Sequence, residues 1–259
     1  MSCGANSDWN PEAYARFRGL RLRPALDLLG AVGELPPGPV VDLGCGNGAA
    51  GEALAALGRD LLGVDGSPAM LDEALSTGLY AGLERADIAR WQAEAPPALI
   101  FSNAALHWLG DHATLLPRLA GMLAPGGWLA VQMPHQNEAP SHRTWLRLAH
   151  EMFPGREGAV APPGVLEAEE YDRILAPIGR LSLWETRYFQ RLAPCADGHP
   201  VRRFTEPTFA RPILEGLEAG DRAKITAAYD AAMKTVYPKA PDGSVLFPFR
   251  RLFFTLQRP

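Results

Sequence analysis

Cysteine is scarce in this chain of 259 residues: Cys3, Cys45 and Cys195 are the whole supply. An odd number, with no pair at metal-ligand spacing, argues against a disulfide scaffold and a zinc site and suits a reducing compartment. No metal ligand set is therefore expected. Long apolar runs are lacking as well, since none approaches the ~18 residues that a membrane span requires. Residues 1–9 are polar and have no apolar core, so no secretory leader is expected. Charge of one sign is also missing. Lys plus Arg is 25 and Asp plus Glu is 29, a net −4. That balance gives no global attraction to nucleic acid or anionic lipid. The expectation is a cytoplasmic globular protein with no nucleic-acid or membrane partner.

Glycine (26) and proline (24) are abundant and punctuate the chain without forming a low-complexity tract. Asn10-Pro11 reads as a helix start, and Arg23-Pro24 as a break before a restart that ends near Gly33. Strands and helices then alternate. Strands are expected at Val40–Leu43, Leu61–Val64, just before Asp87, at Leu99–Phe101 and at Trp128–Gln132. Helices are expected at Gly48–Leu57, Pro68–Leu75 and Ala113–Leu123. This spacing indicates βαβ units around a parallel sheet. Later come a helix at Thr144–Phe153, a Gly/Pro-rich loop at Gly155–Gly164 and a strand at Leu181–Tyr188. A helix follows Asp221, a plausible N-cap, and a closing strand runs Leu252–Leu256. The expected class is α/β: a Rossmann-like, mostly parallel seven-stranded sheet with helices on both faces. The expected organisation is an N-terminal helical segment (1–33) covering the site, a core (34–189 and 245–259) and a helical lid insertion (190–244).

The segment Val41-Asp42-Leu43-Gly44-Cys45-Gly46-Asn47-Gly48 follows a strand and opens a helix. Its glycines allow a tight turn and close approach to a ligand, at the carboxyl ends of the strands. Gly44, Gly46 and Ala49 also fit the dinucleotide pattern, which alone is weak. Asp42, however, would repel a pyrophosphate and attract a cationic ligand. Asp65, after the second strand, suits a ribose diol; Asp87, after the third, suits an exocyclic adenine amine. Cys45 has no activating neighbour in sequence and reads as a small loop residue.

These motifs, with Gly63-Val64-Asp65, Ala86-Asp87-Ile88, Asn103-Ala104-Ala105-Leu106-His107-Trp108 and Leu123-Ala124-Pro125-Gly126-Gly127, resemble the ordered motif series of class I S-adenosylmethionine-dependent methyltransferases. The resemblance implies S-adenosylmethionine as cofactor and S-adenosylhomocysteine as product. It implies that Asp42 and the Gly44–Gly48 turn, with Cys45 and Gly46, face the methionine moiety. Asp65 and Gly66 would meet the ribose, Asp87 and Ile88 the adenine, and Asn103, Ala104 and Ala105 the sulfonium. Ala98 departs from the acid that relatives often carry there.

Asp8-Trp9-Asn10-Pro11, Tyr14, Phe17, Arg21-Leu22-Arg23-Pro24, Gln132-Met133-Pro134, Pro140-Ser141-His142, Tyr237-Pro238 and Arg251-Leu252-Phe253 resemble the trans-aconitate 2-methyltransferase family from about Asp8 to Leu256. The resemblance implies a methyl ester formed on a small anionic carboxylic acid. Candidate substrate residues are Trp9, Tyr14, Arg21, Arg23, His142, Arg211 and Arg251, with His107 and Trp108 as candidate catalytic residues. His135-Gln136 replaces the Asp-Asn pair usual in the family, and Phe204–Ala210 departs from its Trp- and Gly-containing stretch. A carrier-bound acid, a cofactor-binding module without catalysis and a nicotinamide dehydrogenase are the competing readings.

Overall fold

The computed structural model describes residues 18–155 and 164–259, with the backbone alone for 18–21. Trp9, Asn10 and Tyr14, and the helix expected to start at Asn10, lie outside the described residues. The first helix, α1, is Arg18–Leu29 and contains Pro24. The expected break at Arg23-Pro24 does not occur. Proline removes one N–H and crowds the preceding turn, yet Pro24 is buried and the helix continues around it.

Then follow β1 (Val40–Leu43), α2 (Gly51–Ala55), β2 (Leu61–Asp65), α3 (Pro68–Ser76), β3 (Gly82–Arg85) and β4 (Leu99–Asn103). A 3-10 turn (Leu106–Trp108), α4 (His112–Met122) and β5 (Trp128–Pro134) complete the alternation. The remaining elements are α5 (Pro140–Met152), α6 (Ala168–Leu175), β6 (Arg180–Leu192), α7 (Pro200–Thr205), α8 (Arg211–Glu215), α9 (Ala219–Val236) and β7 (Val245–Gln257). Helix α2 starts three residues later than expected because Gly48 sits at φ +77°, a left-handed conformation that no α-helix accommodates. Asp221 is not the N-cap of α9: Glu218 holds that position, and Asp221 lies in the first turn. A carboxylate there still suits the helix dipole.

The seven strands form one sheet in the order β3-β2-β1-β4-β5-β7-β6. The first five pair in parallel, with Asp42 opposite Gly63 and Phe101, and Asn103 opposite Gln132. The apolar runs VVDL and LIFSN are almost wholly buried, as strands covered on both faces must be. Among the described residues no helix is long and apolar enough to cross a membrane.

The chain divides into two compact units. The first comprises residues 18–134, Gly164–Glu185 and Leu252–Pro259. Its core packs Val41, Leu43, Ile100, Leu129 and Val131 against Leu115, Leu119, Tyr171 and Phe254. The second comprises 135–155 and Thr186–Arg251. It is wider than the insertion expected over 190–244, because α5 packs into it: Trp145 stacks on Tyr229 of α9 at 3.9 Å between ring centroids. The Trp145 indole N–H donates to Thr205 Oγ1 at 3.0 Å, and the Tyr229 hydroxyl donates to the Ser141 carbonyl at 2.8 Å. Arg202, also buried, meets Asp230, Glu206 and Asp197.

Candidate active site

The parallel strands deliver their carboxyl ends side by side, so Asp42, Asp65, Asp87 and Asn103 fall at one end of the sheet. Between β1 and α2 the chain turns through Gly44, Gly46 and Gly48, all at positive φ. A Cβ on Gly44 would lie 2.2 Å from the Ala105 Cβ and 3.4 Å from Ile88 Cδ1, so this glycine lets the loops after β1 and β4 touch. A Cβ on Gly46 would meet nothing within 4 Å.

Four of the loop's N–H groups are spent internally. Gly44 and Cys45 donate to the Val64 carbonyl at 2.7 and 3.0 Å, Gly46 donates to Asp65 Oδ2 at 2.9 Å, and Gly48 donates to the Cys45 carbonyl at 3.0 Å. A phosphate-binding loop keeps such groups for its ligand. This arrangement suits a ligand without phosphate.

Asp42 is buried, and its Oδ2 accepts from the Tyr80 hydroxyl at 2.8 Å. Burial raises its pKa to about 7, with nearby Asp65 adding to the rise and Tyr80 opposing it. Burial, followed by Asp42 and Asp65, pushes the Cys45 thiol well above its ordinary range. Since the thiolate is the reactive form, Cys45 in the folded chain is expected to resist iodoacetamide at pH 8, while the half-buried Cys195 reacts. Peptide mass spectrometry checks this. Equal labelling of the two would contradict it.

Both oxygens of Asp65 hold backbone: Oδ2 takes Gly46 N–H and Oδ1 takes Ser67 N–H, each at 2.9 Å. Each oxygen retains a second lone pair for a hydroxyl. Gly66 beside it is exposed. Asp87 is exposed, and its Oδ1 accepts from Ala89 N–H at 3.0 Å, closing an Asx turn. Ile88 follows, half-buried.

At the end of β4, Ala104 stands at φ +55° with its N–H on the Gln132 carbonyl at 2.9 Å. For an alanine this costs about 1 kcal/mol. Asn103 Oδ1 is buried without a hydrogen-bond partner. The turn that follows carries His107, buried, and Trp108, half of whose surface is exposed; the rings lie 4.5 Å apart. His112 pins this turn. Its Nε2 meets the Leu106 carbonyl at 3.0 Å, and its Nδ1 meets the Tyr171 hydroxyl at 2.7 Å. The carbonyl accepts from Nε2–H, so Nδ1 accepts from the tyrosine.

Arg23 is solvated on α1 and sits 3.7 Å from Asp27. Arg21 is placed on α1 by its backbone alone. His142, Arg211 and Arg251 belong to the second unit. His142 is buried against Phe209, and burial lowers its pKa to about 3, so it is neutral at pH 7. Arg211 opens α8, 3.6 Å from Glu215. Arg251 is buried with its guanidinium 4.7 Å from the Phe249 ring centroid.

A family model described as a methyltransferase domain matches residues 14–185. The trans-aconitate 2-methyltransferase of Methylobacterium nodulans is 44% identical over 259 residues, covering 97% of this chain and 99% of that protein. The chain belongs to the trans-aconitate 2-methyltransferase family. The enzyme of that name from Pseudomonas aeruginosa strain UCBPP-PA14 is 40% identical, covering 95% and 92%. Among solved structures, phosphoethanolamine N-methyltransferase 2 of Haemonchus contortus superposes with a TM-score of 0.54 at 15% identity. It covers 92% of this chain and 53% of its own, and it supports the Rossmann-like fold alone.

The residues of this methyltransferase fit an S-adenosyl ligand. Two carboxylates, Asp42 and Asp65, face a loop whose Gly44, Cys45, Gly46 and Gly48 N–H groups already have acceptors. Space opens beside Gly46, and one buried acceptor, Asn103 Oδ1, awaits a donor. Ala98, the departure at β4, is wholly buried at the opposite end of the strand, where its N–H donates to the Pro39 carbonyl at 2.9 Å. It does not touch the cluster. Tyr80, His112 and Tyr171 escaped sequence reasoning, because each acts through a contact distant in sequence.

Proposed function

We propose that this chain transfers the methyl group of S-adenosylmethionine to a carboxylate of trans-aconitate, in the cytoplasm, giving a monomethyl ester and S-adenosylhomocysteine. The observation that carries this reading is the near-full-length match to enzymes of that name, joined to a carboxylate-lined, phosphate-averse cluster at the strand ends. Bound there, the S-adenosyl group supplies an electrophilic methyl on a sulfonium that departs as a neutral thioether.

The rest falls to the chain's own residues. Asp42 meets the ammonium, Asp65 the ribose hydroxyls, and Asp87 with Ile88 the adenine. Asn103 to Ala105 border the sulfonium. An acceptor carboxylate is ionised at pH 7 and needs no general base. The chain therefore contributes orientation and exclusion of water. We assign His107 and Trp108 to the acceptor side. On chemical grounds Arg211 and Arg251 are the guanidinium candidates for carboxylates that do not react, since their forks match carboxylate geometry. His142, held neutral, is a hydrogen-bond partner and not a cation.

The test is a panel of acids with methyl-labelled S-adenosylmethionine, scored as base-labile volatile label. Trans-aconitate is expected to exceed cis-aconitate, citrate and isocitrate in kcat/KM by at least roughly tenfold, about 1.4 kcal/mol of discrimination. Equal rates across the panel, or activity that requires a carrier protein, would overturn the substrate assignment.

A further inference from the structure

Tyr80, in the turn before β3, lies against one glycine of the loop after β1, one of α2 and one of β2. A Cβ on Gly48 would meet its ring at 3.1 Å, one on Gly51 its hydroxyl at 3.1 Å, and one on Gly63 its ring at 2.9 Å. Three glycines on three segments thus leave room for one aromatic ring. That ring ends in a hydroxyl 2.8 Å from Asp42 Oδ2.

We propose that Tyr80 is a positioning residue for cofactor capture: seated in this glycine cradle, its hydroxyl holds one oxygen of Asp42 and fixes the carboxylate that receives the cofactor's ammonium. The proposal rests on the assignment of Asp42 to that ammonium. The titratable groups facing Asp42 are Asp65 from β2, Cys45 from the loop and Tyr80 itself. None of the three is a cation. Tyr80 is therefore the group that favours the ionised carboxylate before ligand arrives, as a donor to an anion does. Its own hydroxyl stays protonated, because burial and then Asp42 push its pKa far upward.

The experiment is calorimetric titration of S-adenosylhomocysteine, which keeps the ammonium, from pH 6 to 9. It compares wild type with Tyr80→Phe, Gly51→Ala and Asp42→Asn, in buffers of different ionisation enthalpy to count released protons. Tyr80→Phe keeps the ring and loses only the hydroxyl. It is expected to bind about tenfold more weakly at pH 7, the size expected for one hydrogen bond to a charged group. The midpoint of its affinity–pH profile moves to higher pH, and binding near neutrality releases more protons. Gly51→Ala retains the hydroxyl but crowds it from a helical position that tolerates alanine, so the same shift in midpoint is expected. If Asp42→Asn binds as wild type, the Asp42 assignment itself fails. If Asp42→Asn is weakened while Tyr80→Phe keeps the wild-type profile, Tyr80 only fills space and the proposal is overturned.

Discussion

Asp42→Asn is expected to make the ligand-free protein more stable while removing most of its cofactor affinity. Asp42 is buried, with a pKa raised to about 7, against about 3.9 in an unfolded chain. Between those two values the folded state holds a proton that the unfolded state has lost. Stability from this group therefore falls as pH rises from about 4 to 7, and stays low above that. At about 1.36 kcal/mol per pH unit, ionised Asp42 costs the fold a few kcal/mol at pH 8. Asparagine is neutral, and its carbonyl oxygen still accepts from Tyr80. The melting temperature should rise at pH 8 by several degrees, at about 2–4 °C per kcal/mol for a chain of this size, and hardly change at pH 4. The affinity for S-adenosylhomocysteine should fall roughly 10- to 100-fold, as when a charge-assisted hydrogen bond is lost. Scanning calorimetry at the two pH values reads the first effect and titration the second. An equal gain at both pH values would contradict the ionisation account. Burial of this carboxylate, with one hydroxyl donor and no cation, is the source of the stability cost.

The second large effect separates two glycines of one loop. Gly44→Ala would set a methyl 2.2 Å from Ala105 Cβ, at φ +77°. Strain and overlap together should cost about 2–4 kcal/mol and abolish binding by forcing the loops after β1 and β4 apart. Gly46→Ala meets nothing within 4 Å and has φ +53°, so only the strain of about 1 kcal/mol applies. Its melting temperature should drop by a few degrees, yet its affinity should collapse, because the new methyl enters the open space beside Gly46 where we propose that the cofactor binds. Wild-type affinity in Gly46→Ala would place the ligand elsewhere.

The parts of this site that are local in the chain were legible from residues alone. A glycine turn after an apolar strand, and acids just past the ends of successive strands, need no tertiary knowledge; Asp42, Asp65, Asp87 and Asn103 all fall where the strand ends bring them. The fold class was legible for the same reason, since parallel strands in βαβ units are written in alternating apolar runs. Element ends were less so. The seat of Gly48 at φ +77° delays α2, and a helix carries Pro24 without interruption. Helix α6 passed unnoticed because it opens on Glu167, which is not among the preferred N-cap residues, although the Glu167 N–H reaches Glu170 Oε2 at 3.2 Å in a capping-box contact. The remaining misses are pairs far apart in sequence. Tyr80 and Asp42 are 38 residues apart, His112 and Tyr171 59, and Trp145 and Thr205 60. A hydrogen bond of that span leaves no periodic or local mark. The same limit explains α5, which belongs to the second unit through Trp145 although a Gly/Pro-rich stretch separates it in sequence from α7 and α9.

The most direct measurement is calorimetric titration of the wild-type protein at pH 8 with S-adenosylhomocysteine and, in parallel, with NADH. A loop with four N–H groups already bonded within the protein, flanked by Asp42 and Asp65, predicts saturable binding of one S-adenosylhomocysteine per chain with a matching rise in melting temperature, and no heat with NADH. Saturable NADH binding with no response to S-adenosylhomocysteine would contradict the account at its centre.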